Sequence, residues 1–198
     1  MEMTPPNFRI LVLVILVSTI AIMLPHRLKA RTGEKLDRRQ EGAILIPLRL
    51  CGLVAWTGIL VYIIRPGWME WSELELPAWL RWAGVGLGLS CLGLLYWTVS
   101  TLGSNLTDTV VTRARHTLVT NGPYRWVRHP LYLTALLLFV SLSLVSASWF
   151  LALAFSPAFV LLVIRTGKEE QKLAERFGDE YRQYTQRTGR FFPRFGTR

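Results

Sequence analysis

PLYLTALLLFVSLSLV (Pro130–Val145) is followed by Ser146-Ala147-Ser148 and then by WFLALAFSPAFVLLVI (Trp149–Ile164). Neither run carries a charge. A helix rises ~1.5 Å per residue and a bilayer hydrocarbon core is ~30 Å thick, so each run approaches spanning length. Three small residues cannot carry the chain back across, so the two runs predict an antiparallel helical hairpin in a membrane. Pro157 within the second run predicts a kink.

Working towards the N-terminus, Ala78–Leu102 is a third apolar run. It is rich in glycine (Gly84, Gly86, Gly88, Gly93), a composition that lets membrane helices approach closely. Ala43–Ile64 is another, broken only by Arg49 and stopped by Arg65-Pro66-Gly67. Phe8–Leu24 is the first and is expected to end at Pro25. A cleaved signal peptide is the rival reading there. The run is long for one and no small-x-small site follows, so a retained helix is expected. Trp68–Pro77, with Trp68, Trp71, Glu70, Glu73 and Glu75, fits an exposed membrane interface.

Towards the C-terminus, Leu173, Phe177, Tyr181 and Tyr184 recur at helical spacing among charged residues from Gly167 onward. This predicts an amphipathic helix on the membrane or on the protein. Arg190-Phe191-Phe192-Pro193-Arg194-Phe195 reads as an interfacial anchor. The fold class expected is all-α: a polytopic membrane protein of about five transmembrane helices with a C-terminal amphipathic helix.

Composition agrees. The 198 residues are 51% hydrophobic, yet 23 Lys+Arg face 13 Asp+Glu, a net charge of +10. The positive charges flank apolar spans instead of forming one soluble patch, which argues against nucleic acid. Cys51 and Cys91 lie inside apolar runs and no Cys/His metal spacing occurs, so no metal site is expected. With five spans, His26–Glu41, Gly103–Arg128 and the tail share one side and nearly all Lys and Arg, while Arg9, Arg65 and Arg81 lie opposite. The positive-inside rule makes the crowded side cytoplasmic and puts the N-terminus outside.

Chemistry is concentrated at that side, in His116-Thr117-Leu118-Val119 and Gly122-Pro123-Tyr124-Arg125-Trp126-Val127-Arg128-His129-Pro130-Leu131-Tyr132. Gly122-Pro123 predicts a turn, and Pro130 suits the first turn of a helix whose open N–H groups favour an anionic ligand group. Arg165, Lys168, Glu169 and Glu170 follow the hairpin, so the second run returns them to the edge where Arg128 and His129 sit. Arg165 and Glu169 are one turn apart on one face. Charges at a membrane edge are costly and mark candidate sites, although each could instead be a snorkelling anchor or part of a solvated face.

The set Gly122-Pro123-Tyr124-Arg125-x-x-Arg128-His129-Pro130-x-Tyr132, then a hairpin, Glu169-Glu170 and Phe177-Gly178-Asp179-Glu180-Tyr181, resembles the isoprenylcysteine carboxyl methyltransferase family and its relatives among phospholipid N-methyltransferases. The likeness covers about Leu102 to the end; the first three runs match only in being apolar. It implies S-adenosylmethionine as cofactor, held without a Rossmann fold. The positions matching His116, Leu118, Val119, Tyr124, His129, Pro130, Tyr132 and Glu169 would line its pocket, joined here by Glu170. Arg165, with Arg128 as second candidate, would receive the acceptor. It also implies a lipophilic or lipidated acceptor among membrane lipids. The eukaryotic members carry a cofactor-loop Gln with no counterpart here, Thr112 being the nearest position. The short N-terminal region resembles prokaryotic relatives, so an inner or plasma membrane location is expected and the acceptor stays open.

Methyl transfer from a sulfonium is an in-line displacement. A carboxylate acceptor is ionised at neutral pH and needs only a cation to hold it. An amine acceptor must lose a proton, with Glu170 or His129 as base. The alternatives are therefore carboxyl O-methylation, phospholipid amine N-methylation, or a non-enzymatic scaffold or transporter subunit. A transporter predicts repeat symmetry and mid-span polar breaks, which the sequence lacks. The expected division is 1–102, three spans and a basic loop, and 103–198, the catalytic core.

Overall fold

The computed structural model describes residues 5–30, 44–106 and 117–194. The described residues form six α-helices: α1 Pro5–Ala30, α2 Leu45–Ile64, α3 Ala78–Leu102, α4 Pro130–Ser146, α5 Trp149–Phe177 and α6 Asp179–Arg187. Short 3-10 turns occupy Pro66–Ser72, Gly103–Asn105 and Gly122–Arg125. The described residues form no strand, only isolated bridges.

α1, α2, α3 and α5 are long and apolar enough to cross a membrane. α4, at 17 residues, is a shorter apolar helix, about 25 Å long at ~1.5 Å per residue. It packs against α3 and, as the return limb of the hairpin, against α5; α2 lies on α5 and α1 on α3. The outward faces are apolar, with Ile46, Leu53, Ile64 and Leu153 all exposed, as lipid contact requires. This is an all-α, polytopic, integral membrane protein.

Two expected boundaries shift. α1 runs through Pro25 to Ala30, because a membrane helix tolerates the one backbone bond that proline removes. α5 also continues through Pro157. The polar segment after Ile164 is not a separate helix: Arg165–Phe177 prolongs α5, since Glu, Lys, Gln and Ala propagate a helix already nucleated in the span. The break falls at Gly178, with φ +54°, and only α6 stands apart.

The α4–α5 corner is built as the short polar break predicted. Ala147 adopts the left-handed conformation (φ 50°), and Ser148 caps α5 by accepting from the Leu151 N–H at 3.3 Å. Ser148 Oγ also meets Ser72 Oγ at 2.8 Å, and Leu74 N–H donates to Ala147 O at 2.7 Å, so the α2–α3 connection clamps the corner. Arg81 donates through Nε and Nη2 to Val145 O at 3.1 and 2.9 Å, placing a cation on the last carbonyls of α4.

Gly84 and Gly88 of α3 face α4 so closely that an added Cβ would meet Leu144 Cβ at 2.8 Å and Ser141 Oγ at 2.6 Å. Gly86 and Gly93 face open space, so only half of the glycine stripe serves packing. The buried core comprises Phe8, Val12 and Ile15 of α1, Ile59 of α2, Val85 of α3, Leu142 and Val145 of α4, and Leu151 and Phe155 of α5. It fills the end of the bundle at the α4–α5 corner. The polar assembly occupies the other end.

Candidate active site

α3 delivers its C-terminus, α4 its N-terminus and α5 its polar extension to one end of the bundle. The turn Gly122–Arg125 lies against the end of α3. Gly122 has φ +56°, and a Cβ there would lie 2.6 Å from Thr101 Oγ1, so both conformation and space require glycine. Trp126 packs edge-on against Trp97 of α3 with centroids 5.5 Å apart, and Arg125 stacks over Trp126 at 4.3 Å. Pro130 occupies the first turn of α4 behind His129, as the sequence implied.

A segment beyond α6 fastens this stretch. Arg128 N–H donates to Gly189 O at 2.8 Å, His129 N–H to Arg190 O at 3.1 Å, and Gly189 N–H to Trp126 O at 3.3 Å. Residues 126–129 and 189–190 thus run side by side in a short parallel pairing. A Cβ on Gly189 would collide with Phe192 O, so no other residue fits there.

The expected meeting across the hairpin takes place. Arg128 Nε donates to Glu170 Oε1 at 2.9 Å, and His129 Nε2 lies 3.2 Å from the same oxygen. Tyr132 Oη donates to Glu169 Oε2 at 2.8 Å. The His129 and Tyr132 rings are stacked with centroids 5.5 Å apart. Arg165 sits half-buried on α5 one turn before Glu169.

The two carboxylates carry different commitments. Arg190 Nη2 donates to Glu170 Oε2 at 2.8 Å, so Glu170 is gripped on both oxygens by two guanidinium groups and an imidazole. Arg128 is committed too: its Nη1 donates to Thr188 O and, at 3.3 Å, to Thr185 O. Among the described residues Glu169 holds only the tyrosine, on Oε2, and none of them bonds its Oε1.

Tyr124 is buried, its N–H donates to Asn121 O, and its carbonyl accepts from Tyr184 Oη at 2.6 Å. Burial, then the nearby Glu169 charge, raises the Tyr124 phenol well above its usual range. Burial likewise raises Tyr181, with Glu170 adding to it, and Tyr184. All three phenols stay neutral donors. Tyr181 is 3% exposed, and its hydroxyl has no hydrogen-bond partner among the described residues.

Leu118 and Val119 are half-buried, while His116 and Thr112 lie outside the described residues. Arg190, Gly189 and Tyr184 joined the site without being among the residues expected to form it. Arg190 had the look of an interfacial anchor but points inward to Glu170, and Phe191 leans on His129 at 5.9 Å. Phe192, 72% exposed, keeps an anchor's posture with the exposed Arg194; Phe195 lies outside the described residues. No group of metal-ligating side chains occurs among the described residues.

Comparison with known proteins bears on the same region. The model of the isoprenylcysteine carboxyl methyltransferase (ICMT) family matches residues 85–175, beginning inside α3 and ending on the α5 extension. The cobalt-zinc-cadmium resistance protein CzcN of Cupriavidus metallidurans is 38% identical over 120 residues, 58% of this chain and 54% of that protein. The protein-S-isoprenylcysteine O-methyltransferase of Rattus norvegicus is 30% identical over 120 residues, 59% of this chain and 42% of that protein. The chain thus spans about half the length of the curated relatives it matches. Among solved structures, the eukaryotic intramembrane Ras methyltransferase ICMT superposes with a TM-score of 0.55 at 18% identity, covering 92% of this chain and 67% of that one. That likeness concerns the fold.

Proposed function

We propose that this chain, whose residues 85–175 match the model of the isoprenylcysteine carboxyl methyltransferase family, is a membrane-embedded, S-adenosylmethionine-dependent methyltransferase that esterifies a lipophilic carboxylate of the isoprenylcysteine type. The observation that carries the reading is the Arg128–His129–Glu170 and Tyr132–Glu169 assembly across the hairpin.

The donor set fits such a cofactor. Glu169 Oε1, which none of the described residues bonds, lies beside a stacked His129–Tyr132 pair, and the buried Tyr181 hydroxyl lacks a partner among the described residues. An aminoacyl and ribosyl sulfonium offers hydroxyl and ammonium donors to the carboxylate, positive charge for it to offset, and acceptors for the phenol. His116, Leu118, Val119, Tyr124, His129, Pro130, Tyr132 and Glu169 are the proposed contacts. Glu170 acts behind them, holding Arg128, His129 and Arg190 in place. When bound, the cofactor supplies an electrophilic methyl group.

The chain's own part is to bind, orient and exclude water, which can supply about 7–11 kcal/mol in favourable systems. Arg165 is the proposed grip on the acceptor carboxylate, one turn before Glu169 on α5, while Arg128 commits Nε to Glu170 and Nη1 to Thr185 and Thr188. A carboxylate needs no base. An amine acceptor would, and both candidate bases are engaged: Glu170 on both oxygens, His129 by Glu170. This favours O- over N-methylation. A scaffold or transporter subunit would have no need of such an assembly.

The proposed active end is cytoplasmic. α1 finishes there with Arg27 and Lys29, and the sequence joining α1 to α2 is rich in Arg and Lys.

The test supplies detergent-solubilised protein with radiolabelled S-adenosylmethionine and an S-prenylated N-acetylcysteine. Alkali-labile label in the lipid product, lost in Arg165→Ala, is expected. Alkali-stable label in a phospholipid would instead establish N-methylation.

A further inference from the structure

A second polar site lies at the opposite end of the bundle. α3 begins there at Ala78 and reaches the active end at Leu102, 25 residues or about 37 Å away at ~1.5 Å per residue. A cavity of about 270 Å³ opens between the start of α1, the end of α2 and the α4–α5 corner. Arg9, Arg81, Glu70, Glu73, Tyr62 and Ser148 are among its lining residues. None of them belongs to the assembly of Arg128, His129, Glu169 and Glu170.

The charges in this cavity are not spent on one another. Among the described residues no ion pair within 4.0 Å engages Arg9, Glu70, Glu73 or Arg81. Arg81 uses Nε and Nη2 on Val145 O, lays its guanidinium carbon over the Phe8 ring at 3.9 Å and faces the Tyr62 hydroxyl, so Arg9 is the less committed of the two guanidinium groups. Two guanidinium groups and two carboxylates round one opening match a ligand that carries both signs. A purely anionic ligand would face the carboxylates, and a cation would face the arginines.

The surroundings fix the depth of that ligand. Trp68, Trp71, Trp79 and Trp82 are all well exposed at this end, and Trp71 packs edge-on against Trp149 with centroids 5.2 Å apart. Exposed indoles beside apolar spans mark the headgroup level of a bilayer. A zwitterion at that level is a phospholipid headgroup.

We propose that this cavity binds the phosphoethanolamine headgroup of a phospholipid in the leaflet remote from the active site. The phosphate lies on Arg9 beside the Arg81 charge, and the ammonium lies against Glu70 and Glu73. The lipid bridges α1, the α2–α3 connection and the corner between α4 and α5, so it ties the three N-terminal helices to the catalytic hairpin.

The experiment follows thermal unfolding of the whole chain in detergent against three additives: dihexanoylphosphatidylethanolamine, the matching phosphatidylglycerol, and phosphoethanolamine without chains. The ethanolamine lipid is expected to raise the Tm by several degrees and the other two to do less. Arg9→Gln and Glu73→Gln, neither of which holds a structural contact, are expected to weaken the apparent affinity about tenfold each, and Arg9→Lys to restore part of it. Methyl transfer in detergent without added lipid stays unchanged in these variants. An equal response to phosphatidylglycerol with no effect of Glu73→Gln overturns the zwitterion. An equal response to the chainless headgroup overturns the lipid. No response of the wild-type protein, or a response undiminished from wild type in both Gln variants, overturns the site.

Discussion

Glu170 receives Arg128, His129 and Arg190, with side-chain exposures of 18% for the glutamate and 12% for Arg128, while its neighbour Glu169 holds a single tyrosine. Removing the first strands two guanidinium groups. Glu170→Ala is therefore expected to destabilise the protein by about 2 kcal/mol, allowing for partial exposure, and to lower the Tm in detergent by several degrees. Glu169→Ala leaves no such stranded charge and should hardly move the Tm. Tyr132→Phe removes the tyrosine hydroxyl bond that orients Glu169, so cofactor affinity should fall about fivefold, the worth of roughly 1 kcal/mol. Calorimetric unfolding together with equilibrium cofactor binding separates the two carboxylates; equal Tm losses would mean that they share one role. The sequence offered this pair as adjacent residues at the right edge. It could not offer their division of labour, which depends on Arg190, twenty residues on and brought back only by the turn after α6.

At the scale of elements, the hairpin was legible because its cause is local. Two uncharged runs and a three-residue break admit one geometry, and α3 also begins and ends where its apolar pattern does. Local cues failed where one property changed and another did not. Polarity switches at Arg165 but helicity does not, so α5 runs on to Phe177 and carries Glu169 and Glu170 on a rigid continuation of the span. Pro25 suggested an end that membrane helices need not respect. The pairing of residues 126–129 with 189–190 was unreadable, since backbone pairs at that separation leave no pattern in either strand of sequence. Gly189→Ala tests it. The added Cβ collides with Phe192 O, so the C-terminal segment should detach, and methyl transfer should fall by at least about tenfold. Helical circular dichroism should persist, because α1–α5 do not depend on that contact. Unchanged activity would show that the strap is dispensable.

For the whole molecule, the helices separate two polar ends by a lipid-facing apolar body, with the tight core towards the corner end and the polar assembly at the other. The proposed orientation follows from charge and has its own check. Glu75 and Gln183 are both exposed and lie at opposite ends. In sealed right-side-out vesicles, Glu75→Cys is expected to react with a membrane-impermeant maleimide and Gln183→Cys only after permeabilisation. The native Cys51 and Cys91 sit within α2 and α3, so they contribute little background. The reverse pattern would turn the molecule over and put the site on the outer face.

The account rests on one pocket shared by the start of α4 and the extension of α5. Equilibrium binding of radiolabelled S-adenosylmethionine to the purified, detergent-solubilised chain measures it most directly. Saturable binding at one site, weakened at least about tenfold in Glu169→Ala with the Tm retained, is the predicted result. Absence of binding to the wild-type chain, or equal affinity in the variant, would contradict it.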